Sequence, residues 1–231
     1  MRHTGLKAAM KFIEEEFSNC DFALLAGSVA RNQQTETSDL DIIIFDEELH
    51  PHRAGYERFG WKIEAFVHTR RSYKSQLEKE KKLGRPIAAN MIHEGIPLKE
   101  DERIPLLKKE VKSYLEEGPE PLSKEFVEAS RYFIYDLLDD FKDSKNEDEA
   151  IYTLNVLSIQ FGDFILRSNN QWSGRGKGFV RALNKYNDIL AKRYFDSLQA
   201  YYKHKNKEPI IKLVDEFYSP LGGQLHDGFR M

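Results

Sequence analysis

Two short apolar runs constrain this chain more than any other feature. They are Asp21-Phe22-Ala23-Leu24-Leu25-Ala26-Gly27 and Asp39-Leu40-Asp41-Ile42-Ile43-Ile44-Phe45. An unbroken run of four to six apolar residues is too short for a helix and fits a strand covered on both faces. Residues 61–67, WKIEAFV, alternate and add a third strand. Helical spacing surrounds these strands: Phe12, Ile13 and Phe17 mark one face over about 4–18, a solvated helix runs from Arg70 to a stop at Gly84, and another spans 102–117. Between Pro86 and Pro97 a short helix and a strand at Gly95-Ile96-Pro97-Leu98 are expected. A sheet bearing helices is therefore required of the first half.

Gly118-Pro119-Glu120-Pro121 interrupts every periodic pattern and reads as a linker. Beyond it only helical spacing remains, over 123–138, 147–167, 179–186, 188–204 and 208–217, with an irregular tail from Ser219. Ser123 is placed to cap the first of these helices. The expected fold class is α+β: a mixed β-sheet with helices over residues 1–118, then an all-α helical bundle over 119–231.

Charge and composition exclude several functions. The 231 residues carry 35 Lys and Arg against 38 Asp and Glu, a net charge of -3. A weakly acidic chain lacks the broad basic field that drives nucleic-acid binding. The single cysteine, Cys20, excludes a disulfide framework and a finger-type zinc site. No apolar run is long enough to cross a bilayer, and Arg2 and Lys7 lead into Glu14-Glu15-Glu16 with no signal-peptide core, so the cytoplasm is the expected compartment. The seven histidines show no metal-binding spacing, and His50-Pro51-His52 is expected in a polar loop.

The chemistry is written between the first two strands. Gly27-Ser28 closes the first run, and Asp39-Leu40-Asp41 opens the second after ten residues. Alternation puts Asp39 and Asp41 on one side of the strand, about 6–7 Å apart, while Leu40, Ile42 and Ile44 bury the other. Paired carboxylates on a rigid strand stay ionised most easily with a cation between them, and their hard oxygens suit Mg²⁺. A glycine after a strand lets the backbone approach a phosphate, a helix start beyond it offers free N–H groups, and the Ser28 hydroxyl can donate to the same oxygens. Glu64, between Ile63 and Ala65 on the third strand, is the candidate third carboxylate; Asp46 is a weaker one.

This ordered combination resembles the nucleotidyltransferase superfamily of the DNA polymerase β type, whose signature is Gly-Ser, about ten residues, then Asp-x-Asp. Arg31 and Ser38 also stand where small bacterial members often carry Arg and Ser; Asn32 replaces a frequent Gly. The resemblance implies an enzyme that binds ATP over Gly27, Ser28, Arg31 and Ser38. It implies Asp39, Asp41 and Glu64 as ligands of Mg²⁺, two ions in the usual arrangement, and NMP transfer with release of pyrophosphate.

The helical half looks similar to that of the two-domain aminoglycoside and lincosamide nucleotidyltransferases, the kanamycin type. There a Glu on the first bundle helix is the general base, which implies Glu128 here, with Arg131 one turn on as a phosphate contact; Asp136 is the next candidate. The spacing departs from that type, which has Lys four residues after the Glu. Trp172-Ser173-Gly174-Arg175-Gly176-Lys177-Gly178 lacks the Walker A spacing, yet Arg175 and Lys177 suit an anion, and Lys177 is taken as a triphosphate contact. It reads equally as a surface connection. The implied acceptor is a small hydroxylated molecule such as an aminoglycoside, whose positive charge an acidic protein favours. The competing reading is an antitoxin-like member that adenylylates or binds a partner protein; related two-domain members are often homodimers.

Overall fold

The computed structural model describes residues 3–230, and among them the chain divides into two compact units that meet at Gly118 and Pro119. In the first unit, α1 (Gly5–Glu16) leads into β1 (Phe22–Ala26) and the single turn α2 (Gly27–Ala30). Then come β2 (Leu40–Phe45), β3 (His52–Arg58), β4 (Trp61–His68), α3 (Arg70–Leu83), α4 (Ile87–Glu94), β5 (Ile96–Lys99) and α5 (Arg103–Glu117). The strands form one mixed sheet in the order β3-β4-β2-β1-β5, with β2 and β4 parallel and the other pairs antiparallel. The α+β fold class expected from the sequence is the one found.

The two apolar runs are the central strands, and burial explains their composition. Every residue of β1 is buried, and in β2 all but Asp41 are. One sheet face, with Ala23, Leu25, Leu40, Ile42, Ile44, Ile63, Ala65 and Val67, packs against Ala8, Ala9, Phe12 and Ile13 of α1. The other, with Leu24, Ala26, Ile43 and Phe45, packs against Tyr73, Leu77, Ala89, Ile92 and Val111 of α3, α4 and α5. Asp41 shares this second face with Ile43 and Phe45, and Glu64 shares it with Phe66, because side chains alternate. The three helices pack against the apolar residues of this face, and Asp41 and Glu64 stand beside them, partly buried.

Two features of this unit differ from the sequence reading. His52 does not lie in a loop; it opens β3, an edge strand joined to β4 by a two-residue turn in which Phe59 and Gly60 both have positive φ, 55° and 80°. That is the hand of turn that matches strand twist. The helix stopped by Gly84 is less solvated than its charges suggest. Glu80 is 2% exposed, and its carboxylate accepts hydrogen bonds from the backbone N–H groups of Ala88 (2.7 Å) and Ala89 (3.3 Å) and from Gln76 (3.1 Å). It thus caps α4, whose own preceding residue, Pro86, supplies no side-chain cap. Desolvation pushes the Glu80 carboxyl upward, opposed by those same hydrogen bonds. Glu80→Ala strands two buried donors and is expected to cost about 2 kcal/mol, read as a lowered urea midpoint at unchanged m-value.

The second unit is all helical: α6 (Lys124–Asp143), α7 (Glu147–Ser168), α8 (Lys177–Tyr186), α9 (Asp188–His204) and α10 (Glu208–Tyr218), then a 3-10 turn. Ser123 caps α6 through the N–H of Phe126, as expected. Leu138, Phe141, Leu154, Phe161, Ile165 and Tyr218 form one core. Phe164 and Tyr218 stack at 4.9 Å, and the Tyr218 hydroxyl bonds Ser130 at 2.7 Å. Among the described residues no helix is long and apolar enough to cross a membrane.

Candidate active site

At this end of the sheet, four neighbouring strands align their residues in one row. Ala26 pairs with Asp41, Asp41 with Glu64, and Glu64 with Gly55. Asp39 stands just before β2, on the Asp41 side. Carboxylate oxygens of Asp39, Asp41 and Glu64 all lie within 4.8 Å of one another. The residues expected to act together from sequence are thus brought together by β2 and β4 running side by side.

Three carboxylates this close act on one another. Asp41 is raised from 3.8 to about 6, first by burial, then by the charges of Asp39 and Glu64; Arg31 and Arg53 pull it down. The cluster is thus short of positive charge, and its donors are hard oxygens. Glu64 has an ion pair with Arg53, Nη2 to Oε2 at 2.5 Å. Sequence reasoning missed Arg53 because β3 was not recognised; the alternation Arg53, Gly55, Glu57 against Ala54 and Tyr56 was the available signal.

Gly27 lies directly beneath Asp41. Its φ is +70°, and a Cβ built there would stand 2.0 Å from Asp41 Oδ2 and 2.9 Å from its Cγ. Only glycine admits both the backbone turn and the carboxylate above it. The following α2 is a single turn, so the macrodipole expected of a helix start is small; local N–H groups and the Ser28 hydroxyl are what this corner offers. Ser28 Oγ donates to Ser38 Oγ at 3.2 Å, and Ser38 Oγ accepts from the N–H of Thr35 at 2.8 Å, which ties the loop back onto the turn. Asn32 adopts φ +55°, the left-handed conformation that Asn tolerates. Arg31 bonds Glu94 through Nη1 at 2.7 Å, while its Nε is buried with no hydrogen-bond partner. Asp46 is buried, and its Oδ1 accepts from the N–H groups of Glu48 and Leu49, a turn-forming role.

A cleft of about 560 Å³ between residues 36–38 and the β3–β4 turn borders this corner through Ser38, but none of the three carboxylates lines it.

The second unit holds the other sequence candidates. Glu128 lies half-buried on α6 with Lys124 at 3.7 Å. Arg131 is engaged by the tail: Nε donates to the carbonyl of Gly223 and Nη2 to that of Gly222, both at 2.8 Å. A Cβ on Gly222 would meet Arg131 Nη2 at 2.9 Å, so the glycine permits this grip. Lys177 is exposed and begins α8, so the expected loop ends one residue before it.

Residues 6–118 match the model of the family described as "Nucleotidyltransferase domain". No curated protein matches the chain. Among solved structures, a nucleotidyltransferase-like protein from Exiguobacterium sibiricum is similar at 11% identity and a TM-score of 0.45, over 90% of this chain and 71% of that one. The kanamycin-type likeness of the helical half finds no counterpart among these matches.

Proposed function

We propose, from the nucleotidyltransferase domain that residues 6–118 form, that the chain transfers an NMP group, AMP from ATP, to a hydroxyl of a small acceptor. It is a nucleotidyltransferase of the EC 2.7.7 type. The observation that carries the finer reading is the carboxylate triad seated over Gly27. Its donor set fits Mg²⁺: three hard oxygen donors, an excess of negative charge, and a glycine floor that leaves no side chain in the way. Asp39, Asp41 and Glu64 are the residues that would hold it. The ion, when bound, supplies charge stabilisation to the phosphates and the displaced oxygen.

The chain's own residues have separate tasks. Gly27 keeps the backbone low enough for a triphosphate to lie against it, and the Ser28 hydroxyl turns its one proton from Ser38 to a phosphate oxygen. Arg31, whose charge acts on Asp41, is a proposed contact for the same anion. The acceptor oxygen forms a bond to the α-phosphorus as the bond to the β-phosphate oxygen breaks, and pyrophosphate leaves. Glu128 is the proposed base for the acceptor proton, and Lys177 a proposed contact for the departing anion. Arg131, whose Nε and Nη2 bond the tail carbonyls of Gly223 and Gly222, is a further proposed phosphate contact. Most of the rate gain comes from alignment and fixed charge.

An aminoglycoside-like polyamine is the acceptor class that the negative charge favours, in keeping with the resemblance to the kanamycin type. The test is pyrophosphate release with labelled NTPs, Mg²⁺ and a panel of aminoglycosides and lincosamides. Release that needs ATP and one of these acceptors, and is lost in Asp39→Asn, is expected. Full turnover by Asp39→Asn combined with Asp41→Asn overturns the assignment. A panel silent for every small acceptor, with labelled NMP appearing instead on a protein, overturns the small-molecule reading.

A further inference from the structure

We infer that Arg53 is a positioning residue: its guanidinium is the resident counter-ion of Glu64 and sets how tightly the third carboxylate takes a divalent cation. The inference rests on the reading of Asp39, Asp41 and Glu64 as a metal centre.

The edge strand makes the contact. Gly55 sits opposite Glu64, and a Cβ there would meet nothing within 4 Å, so no side chain separates Glu64 from the rest of β3. Arg53, opposite Phe66, reaches diagonally across that gap to Glu64 Oε2 at 2.5 Å. Its Cζ also lies 4.9 Å from the centre of the Phe66 ring, a second seat for the cation on the same face. Among the described residues neither Asp39 nor Asp41 has an ion-pair partner; of the three carboxylates, only Glu64 is held by a cation.

The arrangement explains why glutamate suits this position. An aspartate on β4 would be one methylene shorter, whereas Glu64 spans the distance to Arg53 while one of its oxygens lies within 4.8 Å of an oxygen of Asp39 and one of Asp41. The same carboxylate thus meets two rival cations. A dication that takes Glu64 must displace the guanidinium or tolerate it close by. At about 5 Å in a water-like dielectric, that repulsion weakens binding by roughly an order of magnitude. The side chain of Arg53 is 63% exposed on an edge strand, so it can leave Glu64 without disturbing the core and keep its seat on Phe66. Arg53 therefore holds Glu64 in place in the empty enzyme and yields it as the site fills.

The test is direct titration with Mn²⁺, followed by the EPR signal of the free ion, at fixed pH and ionic strength without nucleotide. Wild type, Arg53→Ala, Arg53→Lys, Asp41→Asn and Glu64→Gln are compared, together with Arg53→Ala in the last two backgrounds. Arg53→Ala is expected to bind Mn²⁺ roughly tenfold more tightly, with a thermal midpoint unchanged in the absence of metal. Arg53→Lys, which keeps the charge but loses the fork, should change affinity less than threefold. The gain should vanish in Glu64→Gln. Equal affinity in wild type and Arg53→Ala, with binding still weakened by Asp41→Asn, overturns the role of Arg53 and leaves the metal centre standing. A gain that persists in Glu64→Gln also overturns it, because the effect then does not pass through Glu64. Weaker binding with a lowered midpoint would mark Arg53 as merely structural. If Asp41→Asn leaves Mn²⁺ affinity unchanged in both backgrounds, the metal-centre reading itself falls.

Discussion

Asp41→Asn is expected to lower kcat/KM for nucleotidyl transfer by roughly 10³-fold or more while making the metal-free protein more stable at neutral pH. The two effects have one cause. Asp41 lies at the crowded point of the triad, and burial together with Asp39 and Glu64 lifts it from 3.8 to about 6. Between those two values the folded chain keeps a proton that the unfolded chain has released, so the favourable contribution is complete below about pH 4 and is lost as the pH rises through about 6. At pH 7 the ionised carboxylate therefore works against folding. A shift of about two units sets an upper limit near 3 kcal/mol, and solvent screening at this partly exposed site reduces it to about 1–2 kcal/mol. Asparagine keeps the shape and removes the charge. Chemical denaturation in EDTA should show the variant more stable at pH 7 and equal to wild type near pH 4. Saturating Mg²⁺ should reverse the order, because an ion that binds the folded triad stabilises only the protein that retains it, by about 2.7 kcal/mol at a hundred times its Kd. A wild type that stays below Asp41→Asn in stability at saturating Mg²⁺ would contradict the metal site, and retained transfer activity would contradict the role.

How much of this was legible beforehand follows from what each element buries. β1 and β2 announce themselves because central strands are apolar on both faces: the sequence expectations of 21–27 and 39–45 stand against Phe22–Ala26 and Leu40–Phe45. The long helices of the second unit show their 3.6 spacing, and 188–204 is recovered to the residue. β3 escapes because an edge strand needs only one half-covered side: Ala54 and Tyr56 are its inward residues, and Arg53, Gly55 and Glu57 between them break any apolar run. Its turn is also disguised, since Phe59 is a rare occupant of positive φ. Losing β3 meant losing Arg53. Glu80 is hidden for another reason. Within Glu78-Lys79-Glu80-Lys81 nothing local separates the buried carboxylate from its exposed neighbours; only the later helix α4, which needs a cap, assigns its role. The triad, by contrast, was readable in outline because Asp39 and Asp41 are close in sequence, and Glu64 stands out as a charge in an alternating strand. Sequence does not state that β2 and β4 are parallel neighbours, which is what makes Asp41 and Glu64 partners.

Gly27→Ala is expected to remove activity at least 10²-fold through a single methyl group that collides with Asp41. Alanine at φ +70° costs about 1–2 kcal/mol of backbone strain. The larger effect is steric: the new Cβ would occupy a point 2.0 Å from Asp41 Oδ2, so either the carboxylate swings off the row or the β1–α2 corner opens. Both movements separate Asp41 from Asp39 and Glu64, and displacement of a positioning group by about 1 Å is enough for such a loss. The steric part can be isolated by a double-mutant cycle. In an Asp41→Ala background the carboxylate is gone, and what remains near the new Cβ is the Asp41 Cβ position at 3.2 Å. Gly27→Ala should then cost little more than its backbone strain, about 1–2 kcal/mol, against about 3 kcal/mol or more in the wild-type background. Equal costs in the two backgrounds, measured by urea denaturation without divalent ions, would mean that the glycine serves the turn alone and that its contact with Asp41 is incidental. A cost that falls when the carboxylate is removed ties the glycine at the end of β1 to the acid on β2, and so ties the Gly-Ser corner and the Asp-x-Asp strand into one site.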